Sequence, residues 1–335
     1  MDVFVDHFGQ FLGRTSERLA IREKGKVISE IPFFQIGQIF VIGEGISLSS
    51  DLVQECAQRG ISIYFLSASG TPLAQIFSPN HLGTVRTKRE QLLAIYDWRG
   101  LELSLQFIEG KIRNQISTLK YFSRHRKQAK RDVFELIMQG AGQMEKLINE
   151  LREIREGTIE DQREKLLSLE GRAASLYWDL VSEILPPDLQ FNKRERRGAT
   201  DTLNSSLNYT YGILYNQIWN ALVLAGLDPF AGFLHSDRPG KPSLVLDFIE
   251  EFRSFVVDRP LIAFFNRGGK VDLEEGKISQ KSRRELAKLF FDRLEETHRY
   301  EGKNHKIRTI IQFQARNLAV FLRKEGKYRP FVGAW

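Results

Sequence analysis

Short apolar runs separated by turn-forming residues fill the first eighty positions, and this pattern predicts a small β-rich domain. Runs rich in β-branched residues predict strands at residues 19–22, 27–31, 38–42, 61–66 and 72–77. The first two runs flank Gly25 and are typical of a hairpin. One helix is predicted over residues 50–59, because its apolar positions follow a helical stripe and Gly60 ends it.

The pattern changes within the turn-forming stretch between Pro79 and Gly83, which we interpret as a domain boundary. Beyond it, helical periodicity predicts helices at residues 86–121, 131–155, 160–185, 200–226, 243–257, 281–300 and 305–324. The predicted fold class is therefore α+β. A small N-terminal β-rich domain at residues 1–80 is followed by a larger all-helical C-terminal domain at residues 81–335.

Composition indicates a folded protein with a basic surface. The chain has 335 residues, of which 42% are hydrophobic and 11% aromatic, which favours a sizeable core over disorder. Lys and Arg outnumber Asp and Glu by 49 to 42, and the formal charge is +7. That excess indicates either an anionic partner such as nucleic acid or a basic surface that serves solubility.

Cysteine content and the distribution of apolar residues bear on the compartment. The single cysteine, Cys56, excludes a disulfide within the chain and a zinc site built on paired cysteines. The first residues lack the basic and apolar segments of a leader, and no apolar stretch is long enough to span a bilayer. We therefore expect a cytoplasmic protein with no membrane partner.

Glu170 lies on an apolar face of its predicted helix. Its neighbours on that face are Leu166, Leu167, Ala173, Ala174 and Tyr177. A carboxylate in such a setting loses hydration, so a cation or hydrogen-bond donors must compensate for its burial. Two alternatives follow: Glu170 is a metal ligand, or it pairs with a basic residue such as Arg172 or an arginine on another helix.

Asp247 and Glu250 are three residues apart on one predicted helix and are surrounded by apolar residues. Their mutual repulsion is relieved either by a divalent cation or by the nearby Arg253. His235 follows an apolar run and is either a packed histidine or a metal ligand. No motif supports a covalent nucleophile.

Basic residues form clusters that favour contacts with phosphate groups, although each cluster taken alone is compatible with a solvated surface. The candidate DNA-binding residues are Arg124, Arg126, Lys127, Lys193, Arg194, Arg196 and Arg197. A further cluster comprises Lys303, Lys306 and Arg308. The cluster at residues 193–197 falls in a predicted flexible loop between the helix of Glu170 and the helix that precedes His235.

Four elements, taken in order, resemble the CRISPR-associated endonuclease–integrase family, the larger subunit of the spacer-acquisition complex. The matching elements are Glu170-Gly171 with Ala173, Ala174 and Tyr177; an Asn-rich helix with Asn204, Asn208 and Tyr211; Gly226 leading to His235; and Ser243-Leu244 with Asp247, Glu250 and Arg253. The resemblance covers essentially the whole chain, and the order of four elements is more specific than any one of them.

The resemblance implies a metal site and an activity. By position, Glu170, His235 and Glu250 match the family's metal ligands, and Asp247 matches a further acidic position in its catalytic site. The implied cofactor is Mg²⁺ or Mn²⁺. The implied reactions are cutting of DNA and integration, in which a 3′-hydroxyl attacks a phosphodiester of the CRISPR repeat.

The resemblance also implies partners: double-stranded DNA, a homodimer formed through the β-rich domain, and a smaller CRISPR-associated adaptation protein. Two alternatives to an integrase remain at this point. One is a catalytically silent basic DNA-binding scaffold, in which the three candidate ligands form structural ion pairs. The other is a branched-DNA repair nuclease without integration activity.

Overall fold

The structure is a computed structural model and describes residues 1–67, 72–76, 78, 85–124, 130–196, 198–274 and 276–333. The chain divides into two compact units, Met1–Leu82 and Gly83–Trp335. Each unit has its own hydrophobic core. The first unit is rich in strands and the second is mostly helical, which confirms the predicted α+β class.

The N-terminal unit contains two four-stranded sheets among its described residues. The strands are β1 Asp2–Val5, β2 Gln10–Thr15, β3 Arg18–Glu23, β4 Lys26–Pro32, β5 Gln38–Ile42, β6 Ser47–Leu48, β7 Ser62–Leu66 and β8 Pro72–Ile76. One sheet has the order β1-β5-β7-β8 and the other the order β4-β3-β2-β6.

The predicted hairpin is confirmed, since β3 and β4 pair antiparallel around Gly25, whose φ is +79°. Helix α1 spans Ser50–Arg59 as predicted, and Gly60 ends it in the left-handed conformation. Its Cys56 is buried, and Leu52 packs with Ile39 and Ile63 of the central strands, all three at 0% exposure.

Helices make up most of the second unit. They are α2 Val85–Leu93, α3 Trp98–Ser123, α4 Arg131–Arg152, α5 Ile159–Ser182, α6 Thr202–Leu224, α7 Ser243–Phe248, α8 Arg259–Asn266, α9 Gln280–Glu295 and α10 Ile307–Leu322. In the described part of the chain, none of the helices is both long and apolar enough to cross a membrane.

Three expectations for the second unit need correction. The helix predicted over residues 86–121 is broken by a 3-10 turn at Ala94–Tyr96, after which the Asp97 side chain accepts a 2.9 Å hydrogen bond from Arg99 N and caps α3.

The second correction is that the unit is not all-helical. It also contains the hairpins β9 Leu273–Glu274 with β10 Lys277–Ile278, and β11 Thr297–Tyr300 with β12 Lys303–Lys306.

The third correction concerns the helix predicted over residues 243–257. Only α7 is α-helical there; a 3-10 turn at Ile249–Glu251 follows, and then a π-helix at Arg253–Asp258. Such π-helical segments are rare and occur frequently at functional sites. This change of helix type places Glu250 and Glu251 against different neighbours.

Helix α3 crosses the unit and packs against α4, α5 and both irregular segments after α7. On one side it holds the C-terminal segment Tyr328–Gly333, which we call the tail. Asn114 Nδ2 donates to Phe331 O at 2.8 Å, and Gly333 N donates to Asn114 Oδ1 at 2.7 Å. A Cβ on Gly110 would lie 2.7 Å from Pro330, so the tail packs directly against the helix backbone.

Glu251 connects the 3-10 turn to the tail. Its carboxylate accepts hydrogen bonds from the Tyr328 hydroxyl at 2.5 Å, from Phe331 N at 2.8 Å and from Gln314 Nε2 at 3.1 Å. Burial raises the pKa of Glu251 to about 8, although these three hydrogen bonds lower it.

The raised pKa of Glu251 predicts a specific pH dependence of stability. The ordinary pKa of this carboxyl is 4.5 and the folded value is about 8. Between those values the folded state binds more protons than the unfolded state, so this contribution to stability is present at low pH and is lost as pH rises. The slope is at most about 1.4 kcal/mol per pH unit.

We therefore expect the free energy of unfolding of Glu251→Gln to lack this part of the decrease with rising pH. The measurement is the free energy of unfolding in urea at a series of pH values from about 4.5 to 8. The difference in free energy of unfolding between wild type and variant should change steadily across this pH range. Parallel curves for the two proteins would show that Glu251 does not titrate there.

Candidate active site

Two acidic residues from distant parts of the chain meet around one lysine. Lys111 of α3 forms an ion pair with Glu170 of α5, and its Nζ lies 2.8 Å from Glu250 Oε2 in the 3-10 turn. The lysine side chain is 7% exposed and Glu250 is 5% exposed. A single positive charge therefore lies between two carboxylates that are largely removed from water.

Arg253 supplies a second positive charge to Glu250, with its Nη1 2.8 Å from Glu250 Oε1. Burial alone raises the pKa of Glu250, but Arg253, Lys111 and His235 outweigh it and lower the pKa to about 2. Arg253 therefore does balance the charge of Glu250, as one of the two alternatives from the sequence proposed, and Lys111 does so as well. Arg172 pairs with Glu150 at 3.0 Å and not with Glu170.

Asp247 has 0% exposure and binds the segment that leads to His235. Its carboxylate accepts hydrogen bonds from the backbone N–H groups of Phe233, Leu234 and His235 at 2.6–3.0 Å. The same carboxylate lies 2.7 Å from His235 Nδ1. These contacts occupy both oxygens of Asp247, so the residue orients the imidazole and leaves His235 Nε2 available for a ligand.

The loop before His235 lies directly against the start of α7. Ser243 Oγ accepts a 2.9 Å hydrogen bond from Gly232 N and donates to Phe230 O. A Cβ on residue 232 would lie only 2.5 Å from Ser243 C, so glycine is required at this approach. Ser243 therefore fixes the loop that leads to His235.

The donors suit a divalent cation. Within the described residues, no three Asp, Glu, His or Cys side chains already converge on one point, and Lys111 lies between the two glutamates. Two carboxylates and one imidazole match the preferences of Mn²⁺, and those of Mg²⁺ if water completes the shell.

An aromatic and cationic cluster adjoins Glu250. The ring of Tyr211 on α6 lies 5.4 Å from the Arg194 guanidinium and 5.1 Å from that of Arg253. The hydroxyls of Tyr211 and Tyr177 both donate to the buried Asp258, the latter at 2.9 Å. Burial raises the pKa of Asp258 to about 6, although the two hydroxyls lower it.

The basic loop at residues 193–196, predicted from the sequence to be flexible, is hydrogen-bonded to α6. Asn204 donates to Lys193 O and accepts from Glu195 N, both at 2.8 Å. Arg194 donates to Asn204 Oδ1 at 2.9 Å and to Asn208 Oδ1 at 2.6 Å and is half-buried. Lys193 and Arg196 are exposed.

The other predicted phosphate contacts are distributed differently. Arg124 is exposed at the end of α3, whereas Arg126, Lys127 and Arg197 lie outside the described residues. In the further basic cluster, Lys306 and Arg308 both pair with Glu295, so part of its charge is neutralised.

Sequence patterns did not single out Lys111 or Asp258. The signal for Lys111 was present, since it lies between Ile108 and Ile112 on a helix whose apolar face is buried. Asp258 carried no comparable signal, because its two tyrosine partners come from other helices.

The sequence matches one family over most of its length. A family model described as "CRISPR associated protein Cas1" matches residues 3–292. A relative from Archaeoglobus fulgidus named "CRISPR-associated endonuclease Cas1 1" is 35% identical and is aligned over 100% of both chains.

Solved structures share the fold. A casposase bound to integration product has a TM-score of 0.82 at 23% identity, with 99% of this chain and 93% of that chain covered. A chain of a Cas6-RT-Cas1–Cas2 complex has a TM-score of 0.78 at 20% identity, with 99% and 36% covered. The family match and the full-length relative together establish that the chain belongs to the Cas1 family of CRISPR-associated proteins.

Proposed function

We propose that this protein is a DNA endonuclease–integrase of CRISPR adaptation that acts by metal-dependent phosphoryl transfer. The observation that carries the proposal is the meeting of Glu170 and Glu250 around one cationic position. The name of the Archaeoglobus relative supports an endonuclease, and the casposase bound to its integration product supports strand integration on this fold.

Glu170, Glu250 and His235 would hold Mg²⁺ or Mn²⁺. When bound, such an ion stabilises charge on a phosphoryl group and lowers the pKa of an attacking hydroxyl or water. Asp247 keeps His235 Nδ1 engaged and its Nε2 oriented. Lys111 and Arg253 each pair with one oxygen of Glu250, and together they keep its carboxylate ionised when no metal ion is bound.

Removing any one candidate ligand should abolish strand transfer. We expect Glu170→Ala, His235→Ala and Glu250→Ala each to lower the rate at least about 100-fold and to weaken Mn²⁺ binding. The rate is measured as joining of a labelled 3′-hydroxyl fragment to repeat DNA, and the metal by calorimetry. Glu164→Ala, an exposed acid on the same helix, is the matched control. A ligand variant that transfers strands at the wild-type rate is not a required ligand.

The same assays separate the alternative functions. A silent DNA-binding scaffold would bind DNA without metal and would neither cut nor join strands. A branched-DNA repair nuclease would cut branched substrates with Mg²⁺ or Mn²⁺ but would not join a 3′-hydroxyl to intact repeat DNA. Only joining of a 3′-hydroxyl fragment to intact repeat DNA supports the integrase.

DNA contacts are the second element of the proposal, and exposure favours Lys193 and Arg196 as phosphate ligands. The variant Lys193→Gln/Arg196→Gln should weaken binding equally for unrelated sequences. It should also lower the slope of log affinity against log salt by about one unit per lost contact. Fluorescence anisotropy over a salt series measures both effects. Lys281→Gln/Lys288→Gln on α9 is the charge-matched control, and an unchanged slope in the loop variant would contradict the assignment.

The third element is assembly. Phe8 and Phe34 of the N-terminal unit are 83% and 81% exposed, which favours a role for this unit in forming a homodimer. The Cas2 component of the related complex supports a smaller adaptation protein as a further partner.

A truncated protein beginning at Gly83 retains every candidate metal ligand. We expect it to bind Mn²⁺ but to sediment as a monomer and to fail at two-ended integration, whereas the full chain sediments as a dimer. Analytical ultracentrifugation distinguishes the two states. A truncated protein with the same dimer as the full chain would place the interface in the helical unit instead.

A further inference from the structure

A small pocket of about 40 Å³ lies beside Glu250, and several of the residues that line it have unsatisfied polar atoms. The buried atoms without a hydrogen bond there are Gln115 Oε1, Arg253 Nε and Ser254 Oγ. They come from α3 and the π-helix. Their concentration around one pocket distinguishes it from an ordinary packing defect.

Buried polar groups in folded proteins nearly always have a hydrogen-bond partner. An unsatisfied group costs about 1–3 kcal/mol, so several around one space indicate that a polar occupant normally fills it. A water molecule needs about 10–15 Å³ of such space, so the pocket accepts about three water-sized atoms. Its size therefore suits water molecules or the oxygens of a small anionic group.

Charge decides between an anion and a second cation. The pocket is lined by the cations Lys111, Arg194, Arg196 and Arg253 and by the acids Glu250 and Asp258. Because the positive charges outnumber the negative ones, a second metal ion would be repelled and an oxyanion attracted.

The lining groups are also held in place. The ring of Tyr211 contacts the guanidinium groups of both Arg194 and Arg253, and its hydroxyl is bound to Asp258. Ser254 can donate its hydroxyl, and the amide of Gln115 donates when its oxygen and nitrogen are exchanged, an orientation that the hydrogen-bond network alone decides. Donors fixed before the ligand arrives bind an oxyanion more strongly than mobile ones.

From these observations, we propose that the pocket is an oxyanion subsite that takes the non-bridging oxygens of a phosphodiester, with Gln115 and Ser254 as phosphate-binding residues. The assignment rests on the proposed phosphoryl-transfer function, since the pocket adjoins the candidate metal ligand Glu250. It assigns phosphate binding to two uncharged residues that lie outside the sequence motifs shared with the family.

The test uses the full chain without metal and inorganic phosphate as the probe, followed by ³¹P NMR. Ser254→Ala and Gln115→Leu should each weaken phosphate binding about tenfold, as expected for loss of one hydrogen bond to a charged group. Ser206→Ala is the control, because its buried hydroxyl bonds to Thr202 O at 2.7 Å and lies outside the pocket. Phosphate affinities within twofold of wild type in both pocket variants, or no phosphate binding by the wild type, would overturn the subsite.

Thermal stability gives a readout that a structural role would not produce. Ser254→Ala removes an unsatisfied hydroxyl, so its melting temperature should equal or exceed that of the wild type, whereas Ser206→Ala loses a hydrogen bond and should melt lower. Equal losses in the two variants would show that Ser254 is merely structural.

Strand transfer separates failure of the subsite from failure of the proposed function. If wild type joins strands with Mn²⁺ and both pocket variants match its rate and phosphate affinity, the subsite is wrong and the function stands. If wild type joins no strands but phosphate binding still distinguishes the variants, the function is wrong and the oxyanion pocket stands.

Discussion

The ion pair of Lys111 with Glu170 and Glu250 is the interaction on which the arrangement of the helical unit depends. Two ionised carboxylates repel each other in a water-poor space unless a positive charge lies between them, and removing one partner of a buried ion pair is strongly destabilising. Helix α3 supplies that charge from the middle of its length. The two acids therefore stay close to each other around one positive charge.

The turn that carries Glu250 is fixed from two sides. Lys111 and Arg253 hold its carboxylate on one side, and the tail holds Glu251 on the other through Tyr328 and Phe331. The two adjacent acids therefore lie in separate hydrogen-bond networks, at the point where a 3-10 turn passes into a π-helix. Irregular helical backbone of this kind is rare and occurs frequently at functional sites.

Sequence patterns predicted where a single helix begins and ends better than they predicted where a long helix is interrupted. The apolar stripe of α1 and the glycine that ends it gave its observed limits, because both signals act within a few residues. Apolar spacing over residues 243–257 is compatible with several helix types, so it indicated one helix where three segments exist. Within this stretch Glu251 contacts the tail, whose residues lie about 80 positions further along the chain, and apolar spacing carries no information on contacts of this kind.

The contacts between α3 and the tail also have a kinetic consequence. Asn114 and Phe331 bond across 217 residues of sequence, whereas the helices themselves are local structures. Closing such a long loop costs conformational entropy before any contact compensates for it, so contacts of this kind form late in folding. The turn bearing Glu250 should therefore become ordered after the helices. A partially folded chain would have its secondary structure but no assembled candidate site, and any activity that depends on that site would be absent until the helical unit is complete.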